Sequence, residues 1–363
     1  MKTLPALLAL LLLPLAAAES HAALVPPAGY YQAAQPERGK ASACPAAPRP
    51  FTGPLNFPSK YAGSDRARDA LNTQAYASYS EITEQITLLE SGFSRYVADY
   101  LRFGRPGYAD CALDWLDEWA SADALLSDEF THTGKSRRKW TLGSLSSAYL
   151  RLKFSESQPL KNREAQAERI EAWLDALANR VLLDWQDQPR ERINNHQYWA
   201  AWSLMATSVV LNRRDLYDWS IEQYRIAAHQ VTEDGYLPNE LHRRSRALTY
   251  HSYALGPLLM ISAFALANGQ DLRHENSDAI RRVAENTLAS RENPARFAAR
   301  ANSEQVMDDL RKTNNLAWVE PYCALYSCAA PTRQWLESVR PLRTYRLGGD
   351  VSQLFSPTPQ HNG

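Results

Sequence analysis

Apolar residues recur at helical spacing along most of the chain. Ala112, Trp115, Leu116 and Trp119 fall at i, i+3, i+4 and i+7, and Ile170, Trp173, Leu174, Leu177 and Val181 repeat the pattern on a segment beginning near Glu164. Stripes of this kind bury one helical face against neighbours. The same reading predicts further helices at about 80–103, 140–153, 196–212, 215–231, 245–268, 277–291 and 316–327. No run of alternating β-branched residues reaches strand length, so the predicted fold class is all-α. About ten helices in succession, joined by short polar turns, fit stacked helical hairpins, as an α-solenoid or a closed α/α toroid.

Two stretches depart from this pattern. Residues 4–17 (LPALLALLLLPLAA) are almost unbroken apolar, follow Lys2, and lead into small residues with Ala18 and Ala22 as cleavage points. That is the layout of an export signal, too short to span a bilayer comfortably. We expect residues 1–22 to be removed on the way to the periplasm. No later stretch approaches about 20 apolar residues, so no membrane span is expected. Residues 24–58 are rich in proline (LVPPAGYY, CPAAPRPFTGPLNFP). Proline fixes φ and removes an amide donor, so residues 23–58 are expected as an extended arm wrapped on the body of a single domain, 23–363.

Charge and cysteine content narrow the picture. The chain carries 40 Lys and Arg against 40 Asp and Glu, and loss of residues 1–22 removes one of each sign (Lys2, Glu19). A nucleic-acid binder shows a basic excess, which is missing here, although a locally basic groove is compatible with neutrality. The four cysteines, in an oxidising compartment, favour two disulfides. Cys323 and Cys328 are close enough to staple a short turn, and Cys44 and Cys111 would then tie the arm to an early helix. No C-x-x-C pair and no His at ligand spacing points to a metal site, and no cofactor is expected. The ten Trp and eighteen Tyr are many for an all-α body. Most serve as core filler; a carbohydrate groove lined by flat apolar rings accounts for the rest.

Three polar clusters interrupt the apolar pattern. Asn194-Asn195-His196-Gln197-Tyr198-Trp199 precedes the helix AAWSLMATSVVL. Two Asn at a helix start are ordinary N-caps, yet Asn195, His196 and Trp199 share one side of the first turn. In LHRRSRALTYHSYAL, Arg243, Arg246, Tyr250 and Tyr253 are spaced i, i+3, i+7 and i+10, a single stripe on a helix whose continuation (LGPLLMISAFALA) is strongly apolar. Buried, such groups need partners. The third, His132-Thr133-Gly134-Lys135-Ser136-Arg137-Arg138-Lys139-Trp140, contains a GKS string, but Glu129 stands where a phosphate loop requires its first Gly. It is expected as a basic loop, with Lys135 facing an anionic partner, or simply as a solvated turn. Lys60 and Arg346 are isolated cations, uninformative by themselves.

These strings, NNHQYW and LHRRSRALTYHSYAL with SKYAGSD, HTGKSRRKW, DGYLPNEL, WVEPYCALY and RLGGDV, occur in an order that closely resembles the periplasmic alginate lyases of polysaccharide lyase family five. The resemblance runs from LVPPAGYY to RLGGD. It implies an incomplete (α/α) toroid with a deep groove for mannuronate-rich alginate. It also implies His196 and Tyr250 as the proton-transfer pair, Asn195 and Arg243 as the holders of the uronate carboxylate, and Lys60, Trp199, Tyr253 and Arg346 as groove residues. Gln197 and the Gly256-Pro257 step depart from the pattern, and neither is expected to touch a matched residue.

The residue types suit β-elimination. Abstraction of H5 from a uronate places negative charge on its carboxylate, which preorganised donors stabilise. A base must reach H5 and an acid the bridging O4. In mannuronate both lie on one side of the ring, so one phenol, Tyr250, can take and return the proton; alternatively His196 is the base and Tyr250 the acid, the assignment adopted here. Arg243 is expected to lower the Tyr250 pKa. No metal is needed, because protein cations neutralise the carboxylate. A lyase in an alginate-producing cell would clear polymer trapped in the periplasm during biosynthesis and contact the secretion machinery, and a monomer is expected. Two rival readings remain: a glycoside hydrolase using Asp234 and Glu240 as its carboxylate pair, and a non-catalytic alginate-binding scaffold.

Overall fold

A computed structural model describes residues 22–39, 43–63 and 67–355. Ala22 apart, the leader expected over residues 1–22 lies outside the described residues. Fourteen α-helices follow one another among them: α1 Thr73–Ile82, α2 Glu84–Phe103, α3 Pro106–Ser121, α4 His132–Lys153, α5 Glu164–Trp185, α6 Asn195–Leu211, α7 Arg214–Gln230, α8 Pro238–Leu241, α9 Ala247–Ala267, α10 Ala279–Ala289, α11 Ala295–Ala301, α12 Val319–Tyr326, α13 Ala330–Val339 and α14 Val351–Phe355. Two-residue strands β1 (Arg343–Thr344) and β2 (Gly349–Asp350) pair antiparallel.

Local chemistry sets the ends of these helices. Pro106 opens α3 at a position where a missing amide costs nothing. Gly104 closes α2 with φ 66°, its N–H bonded to the Tyr100 carbonyl. A Cβ there would lie 1.8 Å from the Gln35 carbonyl oxygen, so the arm passes where only glycine allows it. Asn194 caps α6 by accepting the His196 N–H, and Asn212 ends the helix in the left-handed conformation.

The helices pair as hairpins α2/α3, α4/α5, α6/α7 and α9/α10. The first members, with α12, form an inner circuit in which α2 packs on α4, α4 on α6, α6 on α9 and α9 on α12. The second members lie outside. Burial follows this division: nearly every residue of α6 and α9 is buried, whereas α5 and α10 bury one face. Residues 244–267 are long and apolar enough to cross a membrane, but 78% of that window is buried inside the protein, as befits a core helix. Between α12 and α2 the circuit is completed by β1, β2 and the tight turn Tyr345–Leu347, which packs on α2 and α4. The result is an incomplete (α/α) toroid.

The proline-rich segment lies along the outside of α2, α3 and α9. Val25 exchanges bonds with Asn268, the Gln35 N–H donates to the Leu101 carbonyl, and the Trp115 and Trp119 indoles donate to the Pro45 and Pro48 carbonyls. Disulfides join Cys44 to Cys111 and Cys323 to Cys328.

One expectation fails in this part of the chain. The basic stretch after Thr131 is not a loop but the first two turns of α4, capped by the Thr131 hydroxyl on the Gly134 N–H. Arg137, Arg138 and Lys139 are buried. Arg137 pairs with Glu90 at 2.6 Å and Arg138 with Asp184 at 2.9 Å, so two of these cations hold α4 to α2 and α5.

Histidines with lowered pKa values make this fold acid-sensitive. In His251 on α9, Nε2 accepts the Leu237 N–H and Nδ1 donates to the Ala247 carbonyl. Burial pushes its pKa down to about 4, and partial desolvation with nearby cations does the same to the more exposed His132. An unfolded chain protonates these rings near pH 6.5, so as pH falls it binds protons before the folded chain does. Stability should therefore drop as pH falls from about 6.5 towards 4. Urea midpoints measured across that window will fall with pH, and His251→Gln, which cannot titrate, will flatten the slope.

Candidate active site

A cavity of about 590 Å³ opens at one end of the inner circuit. Its walls come from Ser59–Tyr61 and Arg68, the starts of α4 and α6, the turn into α9, and the Tyr345–Leu347 turn. Asn195, His196, Arg243 and Tyr250 all line it, as do Lys60, Trp199, Tyr253 and Arg346. Among the described residues, six Arg or Lys side chains line the cavity against two carboxylates, Glu84 and Asp309. A chain of zero net charge thus concentrates its positive charge at one groove, which attracts and focuses anions.

The Asn194 cap fixes the first turn of α6 and so sets out Asn195 and His196. Both the Asn195 main-chain N–H (2.6 Å) and its Nδ2 (3.1 and 2.9 Å) donate to the buried carboxylate of Glu240 on α8. A carboxamide carries two N–H donors, so this shared bond leaves one for a ligand. The imidazole of His196 lies parallel to the Trp185 ring (5°, centroids 5.9 Å apart) and 5.1 Å from that of His132. Its Nδ1 is 3.1 Å from Lys139 Nζ and 3.2 Å from Ser136 Oγ. Burial, first of all, holds the His196 pKa well below the usual imidazole value.

Arg243 lies in the turn that leads into α9. Its guanidinium stands 3.7 Å from the centre of the Tyr250 ring and donates to the Arg68 carbonyl at 2.8 Å. The Tyr250 hydroxyl meets that of Tyr61. Arg243 does pull the Tyr250 pKa down, as expected, but burial is the larger effect and the phenol ends well above its usual value. The free protein therefore holds Tyr250 as a protonated acid. Trp199 and Tyr253 pack with centroids 4.8 Å apart, Arg346 stands 4.5 Å over Trp140, and Lys60 lies between Tyr61 and Tyr76.

Buried polar atoms left without a partner cluster here. Among the described residues they include Nε1 of Trp140 and Trp199, Oδ1 of Asn195, Nε of Arg243 and one terminal nitrogen of Arg346, all on cavity-lining residues. Such atoms are costly to bury unless something hydrogen-bonds to them. A polyhydroxylated anion answers that need.

Several expectations are corrected by the geometry. Lys135 does not line the cavity; its Nζ donates to the Asp184 carbonyl at 3.0 Å and lies 4.6 Å over Trp185. Arg243 and Arg246 precede α9 rather than continuing its stripe. Gly256 does border a matched residue, because a Cβ there would lie 3.6 Å from the Trp199 ring. The hydrolase pair is not on the groove: Glu240 is bound to Asn195, and Asp234 pairs with Arg300 at 3.0 Å. Tyr61, His132 and Lys139 were not singled out from the sequence. No local pattern marks them, since each joins the site through contacts across 57 to 189 residues or ring packing.

Comparison with known proteins identifies the family. Residues 56–297 match the family model described as alginate lyase. An alginate lyase of Pseudomonas putida is 52% identical over 358 residues, covering 98% of this chain and 97% of the relative. One from Azotobacter vinelandii is 54% identical over 336 residues, covering 92% and 90%. Among solved structures, a histidine-to-alanine variant of alginate lyase A1-III complexed with a tetrasaccharide superposes with a TM-score of 0.74 at 25% identity, covering 88% of each chain. The chain belongs to the alginate lyase family.

Proposed function

We propose that this lyase acts on mannuronate-rich alginate in the periplasm, cutting by β-elimination to give oligosaccharides with a 4-deoxy unsaturated uronate at the new non-reducing end. The observation that carries this reading is the convergence of Asn195, His196, Arg243 and Tyr250 on one basic, aromatic-lined groove. Arg243 and the free N–H of Asn195 hold the uronate carboxylate and stabilise the charge that grows on it as H5 leaves. His196, neutral in the fold, takes H5. Tyr250, protonated in the fold, delivers its proton to O4 as the C4–O4 bond breaks and the C4=C5 bond forms.

Trp199 and Tyr253 offer stacking faces for neighbouring sugars, and Lys60 and Arg346 offer charge for their carboxylates. The tetrasaccharide in the complex of alginate lyase A1-III supports a groove that engages several sugars at once. A mannuronate lyase with an export signal suits the clearing of polymer from the periplasm during alginate synthesis and export, in contact with the secretion machinery.

Absorbance of the conjugated double bond tests the reading. Purified protein mixed separately with polymannuronate and polyguluronate should raise it on polymannuronate alone. An equal rise on both polymers would defeat the mannuronate assignment. No rise on either, with binding retained, would make the groove a non-catalytic alginate-binding site.

A further inference from the structure

Lys139 is fully buried on α4, yet no carboxylate or carbonyl accepts from its Nζ among the described residues. Among the described residues it meets His196 Nδ1 at 3.1 Å, the face of Trp185 at 3.4 Å from the ring centre and, farther off, the Trp140 ring at 5.5 Å. The charged groups that act on it are mostly positive: Lys135 on its own helix and Arg346 from the Tyr345–Leu347 turn. His132 and Ser136 on α4 and His196 on α6 are neutral neighbours. The one nearby carboxylate, Asp184 on α5, is engaged by Arg138 at 2.9 Å. An ammonium in these surroundings has no counter-ion, and buried groups in that position shed their charge.

A neutral amine has two N–H donors and one lone pair. The indole face can take an N–H, but the lone pair needs a proton donor, and the group within reach is the His196 ring. We propose that Lys139 stands as a neutral amine that accepts the Nδ1 proton of His196, fixing the imidazole as the tautomer with its lone pair on Nε2. Lys139 is then a positioning residue for the base. Burial is the largest cause lowering the pKa of both groups, with Lys135 and Arg346 adding to it at Lys139 and Arg243 and Arg68 at His196, which agrees with a neutral pair. Nε2 has no protein partner among the described residues, and His196 lines the cavity, so that lone pair is left for substrate.

The assignment rests on His196 acting as the base. Nε2 takes H5 as a proton, and the C5–H electron pair passes into the carboxylate-stabilised carbanion and then into C4=C5. O4 leaves with the C4–O4 pair and takes the Tyr250 proton. The imidazolium left behind is shared through Nδ1–H with the Lys139 amine, whose growing positive charge faces the Trp185 ring. Return of the proton from His196 to the Tyr250 phenolate, directly or through water, restores both groups. A histidine bonded at Nδ1 by a permanently charged donor would instead present Nε2–H to the substrate and could not take H5.

Imidazole ¹⁵N resonances of the whole, unliganded protein near neutral pH test the tautomer, with His196→Ala assigning the signals. A one-bond N–H coupling at Nδ1 of His196 is expected; a proton on Nε2 overturns the proposal. Lys139→Gln keeps an acceptor and should hold kcat within about tenfold, whereas donor-only Lys139→Arg should lower kcat about 100-fold or more, with KM little changed in both. The opposite order overturns it as well. The spectrum of the unsubstituted protein needs no variant to fold and no turnover. If His196→Ala stays active, the base assignment fails whatever the tautomer; if it is inactive while Nε2 carries the proton, Lys139's role alone fails.

Discussion

Tyr250→Phe should bind polymannuronate within a few-fold of the unsubstituted protein and turn it over about 10²- to 10⁴-fold more slowly, the range that loss of a positioned acid produces. The substitution removes one oxygen and keeps the ring. That ring supports Arg243 at 3.7 Å and packs edge-on to Tyr253 at 6.2 Å, so the shape of the site persists. The loss should appear in kcat, because the phenol's proton is needed when O4 departs and not when the chain binds. The Tyr61 hydroxyl, which meets that of Tyr250, is the nearest substitute donor. Any residual rate in Tyr250→Phe should therefore fall further in Tyr61→Phe/Tyr250→Phe. The unsubstituted protein should also show a broad pH plateau. A base with a lowered pKa stays competent into mildly acidic solution, and an acid with a raised pKa keeps its proton into alkaline solution. Turnover unaffected by the loss of the hydroxyl would remove Tyr250 from the chemistry and return the weight to binding alone.

The long apolar stripes made the helices legible, and a polar cluster just ahead of an apolar helix made its site legible. Trp173, Leu174 and Leu177 are buried where their spacing places them, and the start of α6 lies within one residue of the expected position. What stayed hidden depended on distant partners. Arg137, Arg138 and Lys139 read as a solvated basic run because nothing beside them offers a counter-charge. Glu90 lies 47 residues before Arg137, and Asp184 lies 46 residues after Arg138. Thr131 as a cap was the local sign that a helix begins there, and the density of charge obscured it. Glu240 enters only the rival hydrolase reading, because its type fits that role; the fold shows both its oxygens turned to Asn195. The Tyr250 pKa illustrates the same limit. Proximity to arginine lowers it and is legible from spacing, whereas the larger, opposite effect of burial is a property of the packed circuit.

Arg243→Ala should lower kcat/KM on polymannuronate about 10²- to 10³-fold, the equivalent of roughly 3–4 kcal/mol for one preorganised donor to a developing anion. Arg243→Lys should recover little of it. The guanidinium lies over the Tyr250 ring while donating to the Arg68 carbonyl, and it keeps a buried Nε free for substrate. A lysine's compact ammonium cannot satisfy a planar stacking position and two separated acceptors together. Removing Arg243 has a second consequence through Glu240, whose buried carboxylate is held down by the Asn195 N–H and by this arginine. Burial already raises the Glu240 pKa above the usual carboxylate value, so without Arg243 it should rise further, favouring the protonated acid and loosening its hold on Asn195 as pH falls. The rate of Arg243→Ala should therefore decline on the acid side at a higher pH than that of the unsubstituted protein, and Glu240→Gln, which cannot titrate, should abolish this difference. Absorbance-based kcat and KM across pH for the three variants separate the two effects. A loss in Arg243→Ala below about tenfold would mean that the carboxylate charge is stabilised by other groups in the groove, with Arg346 the first to replace next.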